Sequence, residues 1–197
     1  ADPAAIAAEA GFDPGVFTKA EHMVSYSARG RLLSLCVART GCRHLGLLLG
    51  ARARMSSLGL PGLLAQCAPD VDTALNDFAR YTYLSVSGGV TGFSVRGEVA
   101  MLSFDVVLPE VDATDVVGDA AMSTFFSMMR TICGPEWTAR EVRFSHGKPQ
   151  DIEPYRSLFR APLRFNADQN AILFSTEWLR HPLQGADPEL RRLLQAQ

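Results

Sequence analysis

Residues 91–107 read TGFSVRGEVAMLSFDVV, and the alternation within them decides the fold class. Apolar and polar side chains exchange places along both sides of Gly97-Glu98, a pair suited to a two-residue turn because its first position tolerates positive φ. With that pair as the turn, Val95 faces Ala100, Phe93 faces Leu102 and Thr91 faces Phe104. These residues and Val106 then share one face of an antiparallel pair, while Arg96, Ser94, Met101, Ser103 and Asp105 share the more polar face. A slip of one residue would turn the whole apolar set to solvent, so the pattern specifies the register.

Upstream of this hairpin the period is helical. An alanine-rich segment at 4–10 is ended by Gly11, Asp13, Pro14 and Gly15. From Ser27, residues Leu32, Leu33, Leu35, Cys36 and Arg39 keep helical spacing until Gly41, and 43–49 add a turn or two before Gly50. Ser57 is placed to cap a helix through Leu58, Leu63, Leu64 and Cys67, with Pro61 near its first turn. Asp70 caps the next, from 71 to about 84, whose apolar face carries Val71, Leu75, Phe78, Ala79 and Thr82.

Downstream, a long helix over 112–133 presents Met122, Phe125, Phe126, Met129 and Cys133 on one broad face. A strand at 139–146 and a short helix at 151–159 follow. Then comes an expected hairpin, with Leu163 and Phe165, then Ile172 and Phe174, alternating around Asn166-Ala167-Asp168-Gln169. Asp187-Pro188 opens a last helix with one apolar stripe, Leu190, Leu193 and Leu194. The layout is α+β: N-terminal helices, then a mainly antiparallel sheet in ββαβαββ order with packed helices, one domain over residues 1–197.

The net charge of −2 and pI of about 6.1 supply no basic field toward nucleic acid or anionic lipid, so DNA contact is expected only through a domain absent from this chain. No apolar run reaches the ~18 residues of a membrane span, no signal peptide is recognisable, and the expected location is the cytoplasm. Cys36, Cys42, Cys67 and Cys133 form no CxxC pair and are read as free thiols. The four histidines make no close-set ligand pattern, so neither metal nor cofactor is expected.

Residues 86–92, VSGGVTG, have the composition of a phosphate loop but the wrong context. Such loops join a strand to a helix N-terminus; here a helix precedes and a strand follows. With no G-x-S-x-G elbow, HExxH or P-loop lysine in the sequence, the chain reads as a non-enzyme. What remains is an apolar middle, either a filled core or the wall of a small-molecule site. The site reading places an effector between the sheet face carrying Phe93 and Phe104 and the helix face carrying Met122, Phe126 and Met129. Tyr81 or His146 would stand at its rim and Arg130 would hold one polar end.

A resemblance sharpens this. Residues 154–190, PYRSLFRAPLRFNADQNAILFSTEWLRHPLQGADPEL, resemble the end of the regulatory domain of AraC-family transcription factors, in the arabinose-binding-like branch. The carriers are Tyr155, Phe159, Ala161-Pro162, Arg164-Phe165, Asn170-Ala171, Phe174, Leu179 and Pro182-Leu183. The likeness extends upstream through HLGLLLG (44–50), LGLPGLL (58–64), FARYTYL (78–84) and EVRFSHGKP (141–149), with Pro61 as a departure. The resemblance implies a domain that binds a small effector, forms a homodimer and controls a C-terminal pair of helix-turn-helix motifs. A ligand-free dimerisation scaffold and a stand-alone small-molecule enzyme are the alternatives.

Overall fold

Short polar side chains set where the helices begin. In the computed structural model, which describes residues 2–13, 15–16, 24–86, 88–109 and 111–196, Asp2 caps α1 (Pro3–Glu9) and Ser25 caps α2 (Tyr26–Thr40). Pro14, Lys19, His22 and Ser87 lie outside the described residues. Gly41, at φ 68°, closes α2 in the left-handed conformation that its missing Cβ permits. After α3 (Leu45–Ala51), Ser57 does not cap a long helix as expected. Its hydroxyl bonds Arg54 within a 3-10 turn at Met55–Leu58, and α4 (Leu60–Gln66) starts afresh after Gly59, with Pro61 in its first turn. Asp70 does cap α5 (Val71–Tyr81), accepting the Thr73 N–H at 2.8 Å.

The hairpin forms in the expected register. In β1 (Gly89–Arg96) and β2 (Val99–Val106), Val95 pairs with Ala100, Phe93 with Leu102 and Thr91 with Phe104, and Gly97 takes φ 57°. α6 (Thr114–Cys133), β3 (Glu141–Arg143), α7 (Glu153–Phe159), β4 (Leu163–Arg164) and β5 (Asn170–Ser175) complete the ββαβαββ order. The sheet runs β1-β2-β5-β3-β4.

One pairing differs from expectation. β4 and β5 are not hairpin partners: β3 lies between them, antiparallel to β5 and parallel to β4. The 166–169 turn carries the chain around the end of β3 instead. Asn166 N–H donates to His146 O and Ala167 N–H to Phe144 O, with Asn166 at φ 55°. Local alternation reads the strands but not a third strand that inserts between them.

α6 is the organising element, buried along three stripes. One stripe meets α3 so closely that Gly46 and Gly50 are required. A Cβ at Gly46 would collide with the Val116 carbonyl and lie 2.7 Å from Asp119 Cβ. Ser123 donates to Leu47 O at 2.8 Å across this seam. A second stripe, Met122, Phe126, Met129 and Cys133, is buried in the main core that also contains Ala100, Leu102, Val142, Ile172 and Phe174 from the sheet. The third stripe carries smaller residues, Val117, Ala120, Ala121 and Thr124, and faces a cavity.

α8 (Pro188–Gln195) is capped by Asp187, which accepts the Leu190 N–H at 2.9 Å, and buries none of its residues. Arg191 ties it to α5 through two hydrogen bonds to the buried Asp77 carboxylate, at 2.7 and 3.1 Å. No single helix among the described residues is long and apolar enough to cross a membrane.

Candidate functional site

The cavity opposite the small stripe of α6 measures about 350 Å³. Its apolar wall is aromatic: Phe125 of α6 meets Phe78 of α5 edge-on at 5.7 Å and Phe104 of β2 at 6.4 Å. Space remains here because Ala120, Ala121 and Thr124 are too short to fill the gap between these rings and α6. Gly89, at the start of β1, lets the Phe104 ring lie where any Cβ would collide with it, and Gly88 does the same for the Tyr26 ring. Gly88 and Gly89 thus let two aromatic rings pack against the backbone where β1 begins.

The polar lining comprises Arg29, Ser57, Thr82, Ser85, Thr91 and Thr124, and three of these are already engaged with backbone carbonyls. Thr82 bonds Phe78 O, Ser57 bonds Arg54 O, and Ser85 reaches Leu58 O at 3.4 Å. Thr91 is different: its hydroxyl oxygen is buried and has no hydrogen-bond partner. Arg29 of α2 supplies the one charged side chain on the wall among the described lining residues. Its guanidinium lies 5.5 Å from the centre of the Tyr26 ring, a cation–π arrangement.

The residues expected at a site fall into separate surroundings. Phe104 lines the cavity, and Phe93 is half-buried against the core. Met122 and Met129 are fully buried, and Phe126 is wedged between Trp137 and Phe159 at 5.5 and 5.3 Å. Arg130 donates to the Pro135 and Trp137 carbonyls beyond the C-terminal end of α6, so its charge is spent on the helix terminus. Tyr81 is half-buried with Arg80 over its ring at 5.6 Å. The sequence reading did not place Arg29, Val117, Ala121 or Thr124 at a site. The available signal was the run of short side chains at helical spacing from 117 to 124.

His146 belongs to a second constellation, a buried polar triad. Its Nε2 lies 3.0 Å from Asp119 Oδ1, its Nδ1 2.8 Å from Gly147 O, and the Tyr155 hydroxyl donates to Asp119 Oδ2 at 2.5 Å. Both ring nitrogens face acceptors, which suits the imidazolium, a donor at both. Burial pulls the His146 pKa down, but the Asp119 hydrogen bond and charge, with Gly147 O and Asp115, raise it overall. Tyr155 is held above the usual phenol range by burial first and by Asp119 next. The side chains of His146 and Asp119 are only 6% and 3% exposed, so no substrate reaches them. This triad joins α6, α7 and the end of β3; it is architecture.

A wider groove of about 530 Å³ lies between the end of α6 and the 181–185 loop. It has no aromatic wall. Cys133 on its border has a thiol pushed up to about 12 by burial, which makes it a poor nucleophile. Among the described residues no three His, Cys, Asp or Glu side chains converge as metal ligands.

Residues 1–183 match the family described as the arabinose-binding domain of AraC transcription regulator, N-terminal. The chain belongs to that family. The HTH-type transcriptional regulator VirS of Mycobacterium tuberculosis, in each of two strains, is 23% identical over 196 residues, covering 98% of this chain and 57% of its own length. The chain therefore spans little more than half of these curated relatives. The crystal structure of the transcriptional regulator CdpR from Pseudomonas aeruginosa superposes with a TM-score of 0.71 at 17% identity, over 98% of this chain and 60% of that one. At that identity the likeness establishes the fold alone.

As an AraC-type regulatory domain, the chain carries motif residues whose physical reasons are now visible. Tyr155 anchors on Asp119, and Phe159 packs its ring against Phe126 and Phe144. The Asn170 amide accepts the Ser145 N–H and donates to Phe104 O, bridging β5 to its neighbours on both sides. These residues hold the sheet and α6 together rather than lining the cavity.

Proposed function

We propose that this chain is the effector-sensing and dimerising part of a bacterial AraC-type regulator, acting in the cytoplasm on a DNA-binding domain attached to it. The effector occupies the cavity bounded by α6, α5 and the β1–β2 hairpin. One observation carries this reading: about 350 Å³ of space beside three aromatic rings, with Arg29 as the one charged side chain among the described lining residues. Small-molecule sites span roughly 300–1,000 Å³ and combine apolar walls with a few polar groups.

The signal has a route through α5. This helix gives Phe78, and its C-cap Thr82, to the cavity and, beside Phe78, Asp77 to Arg191 of α8. An effector that displaces the Phe78 ring also displaces the carboxylate that seats α8, which is the differential contact a population shift requires. Self-association fits the free edge of the sheet, where β1 pairs only with β2 and exposes Val90 and Val95.

The test is to fill the cavity. In the full regulator driving a reporter gene, Ala121→Phe places a ring in the space without replacing any of the fully buried side chains Met122, Met129 and Leu102. The expected outcome is a folded protein of normal abundance whose output no longer responds to inducing conditions. An unchanged response would remove the cavity from the mechanism.

A further inference from the structure

The charge on the cavity wall speaks to what the cavity accepts. Among the described lining residues Arg29 alone is charged, and no carboxylate lines the space. The ion pairs of the described residues engage Arg39, Arg143, Arg156 and Arg191, while Arg29 contacts only the Tyr26 face. A half-buried guanidinium outside these ion pairs, on the wall of an aromatic cavity, favours a planar anion, which it can hold through two parallel hydrogen bonds.

The rest of the wall sets the other end of the ligand. Phe78, Phe104, Phe125 and Val117 offer only apolar contact, and the Thr82, Ser57 and Ser85 hydroxyls already donate to backbone carbonyls. Sugar hydroxyls lying against those rings and Val117 would be left unpaired. At the ~30 Å³ that a water molecule occupies in the liquid, the volume suits a molecule of about a dozen non-hydrogen atoms.

We infer that the effector is an amphipathic monocarboxylate, its carboxylate held by Arg29 and its aryl or alkyl tail lying on the Phe78, Phe104 and Phe125 rings. This rests on the reading of the cavity as the effector site, and it disfavours the pentose of the family's name as the ligand of this chain.

The probes are 4-phenylbutyrate, its uncharged amide and L-arabinose, titrated calorimetrically at up to millimolar concentration into the wild-type chain. Arg29→Met, Arg29→Lys and Ala121→Phe are the variants, each checked for folding by circular dichroism. The carboxylate is expected to bind about tenfold or more tighter than the amide, the usual scale of a charged hydrogen bond, and arabinose not at all. Arg29→Met should erase that preference while keeping amide binding, Arg29→Lys should retain part of it, and Ala121→Phe should abolish binding of both. Equal binding of acid and amide, or a preference that survives Arg29→Met, overturns the carboxylate assignment and leaves the cavity reading standing. Tail binding untouched by Ala121→Phe overturns both. Failure of the acid to bind, or tighter binding of arabinose, overturns the carboxylate assignment; the reporter response of Ala121→Phe then decides the cavity reading separately.

Discussion

Gly46→Ala adds one methyl group at the seam between α3 and α6, where the backbones are nearly in contact. The new Cβ would collide with the Val116 carbonyl, lie 2.7 Å from Asp119 Cβ and 3.0 Å from the Ala120 nitrogen. Carbon–carbon contact is comfortable at about 3.5–4.0 Å, so α3 must withdraw by roughly 1 Å. Such overpacking costs about 1–3 kcal/mol. The withdrawal also weakens the Ser123-to-Leu47 and Ser127-to-Gly50 hydrogen bonds, each contributing about 0.5–1.5 kcal/mol. Against this, alanine is the better helix former by at most ~1 kcal/mol. The clash wins, with a net loss of about 2–4 kcal/mol. For a chain of this length that lowers Tm by roughly 5–15 °C. Thermal and urea unfolding followed by circular dichroism measures it, with Leu48→Ala on the exposed face of α3 as the control expected to cost under ~1 kcal/mol. A Gly46→Ala protein as stable as wild type would mean that α3 and α6 do not approach this closely.

His146 gives a pH-dependent prediction. Its folded pKa is raised, so the stability it contributes is complete below the ordinary histidine value of about 6.5 and is lost as pH rises through the folded value. Urea titrations from about pH 6 to pH 9 should show wild type losing stability relative to His146→Gln over that window; a constant difference would contradict the imidazolium assignment. Phe126→Trp has no room between Trp137 and Phe159 and should destabilise by about 1–3 kcal/mol while leaving ligand binding intact. Loss of binding with unchanged stability would place the pocket on that face of α6 instead. In α8, which buries no residue, amide hydrogens from Leu190 onward should exchange rapidly, and faster still in Arg191→Met, because its seat on Asp77 is removed. Strong protection in a proven monomer that survives this substitution would show that something other than the ion pair holds the helix.

The parts of the fold legible in the sequence are those set by local chemistry. The 91–106 register follows from side-chain alternation, and Asp70 and Asp187 cap helices because a short carboxylate reaches the N–H three residues on. The interleaving of β3 between β4 and β5 was not legible, because no local period records which strand lies beside which. The cavity is harder to read from the sequence. Large residues such as Met122, Phe126 and Met129 drew attention, yet they fill their own surroundings. Space lies where Ala120, Ala121 and Thr124 leave it, opposite rings brought from α5 and β2. Arg29 sits about sixty residues before the hairpin it faces, a distance that only the fold closes. Arg130 was the nearer arginine, but the carbonyls beyond the end of α6 claim it.

The most direct test of the cavity as effector site is methyl-resolved NMR of the chain with the tightest-binding compound from a small-fragment screen. Intermolecular nuclear Overhauser contacts should join the ligand to the methyl groups of Val117, Ala121, Thr124 and Thr91. Contacts to Ile132 and Leu183 in the groove beyond α6, or to Met122 and Met129 in the core, would contradict the account.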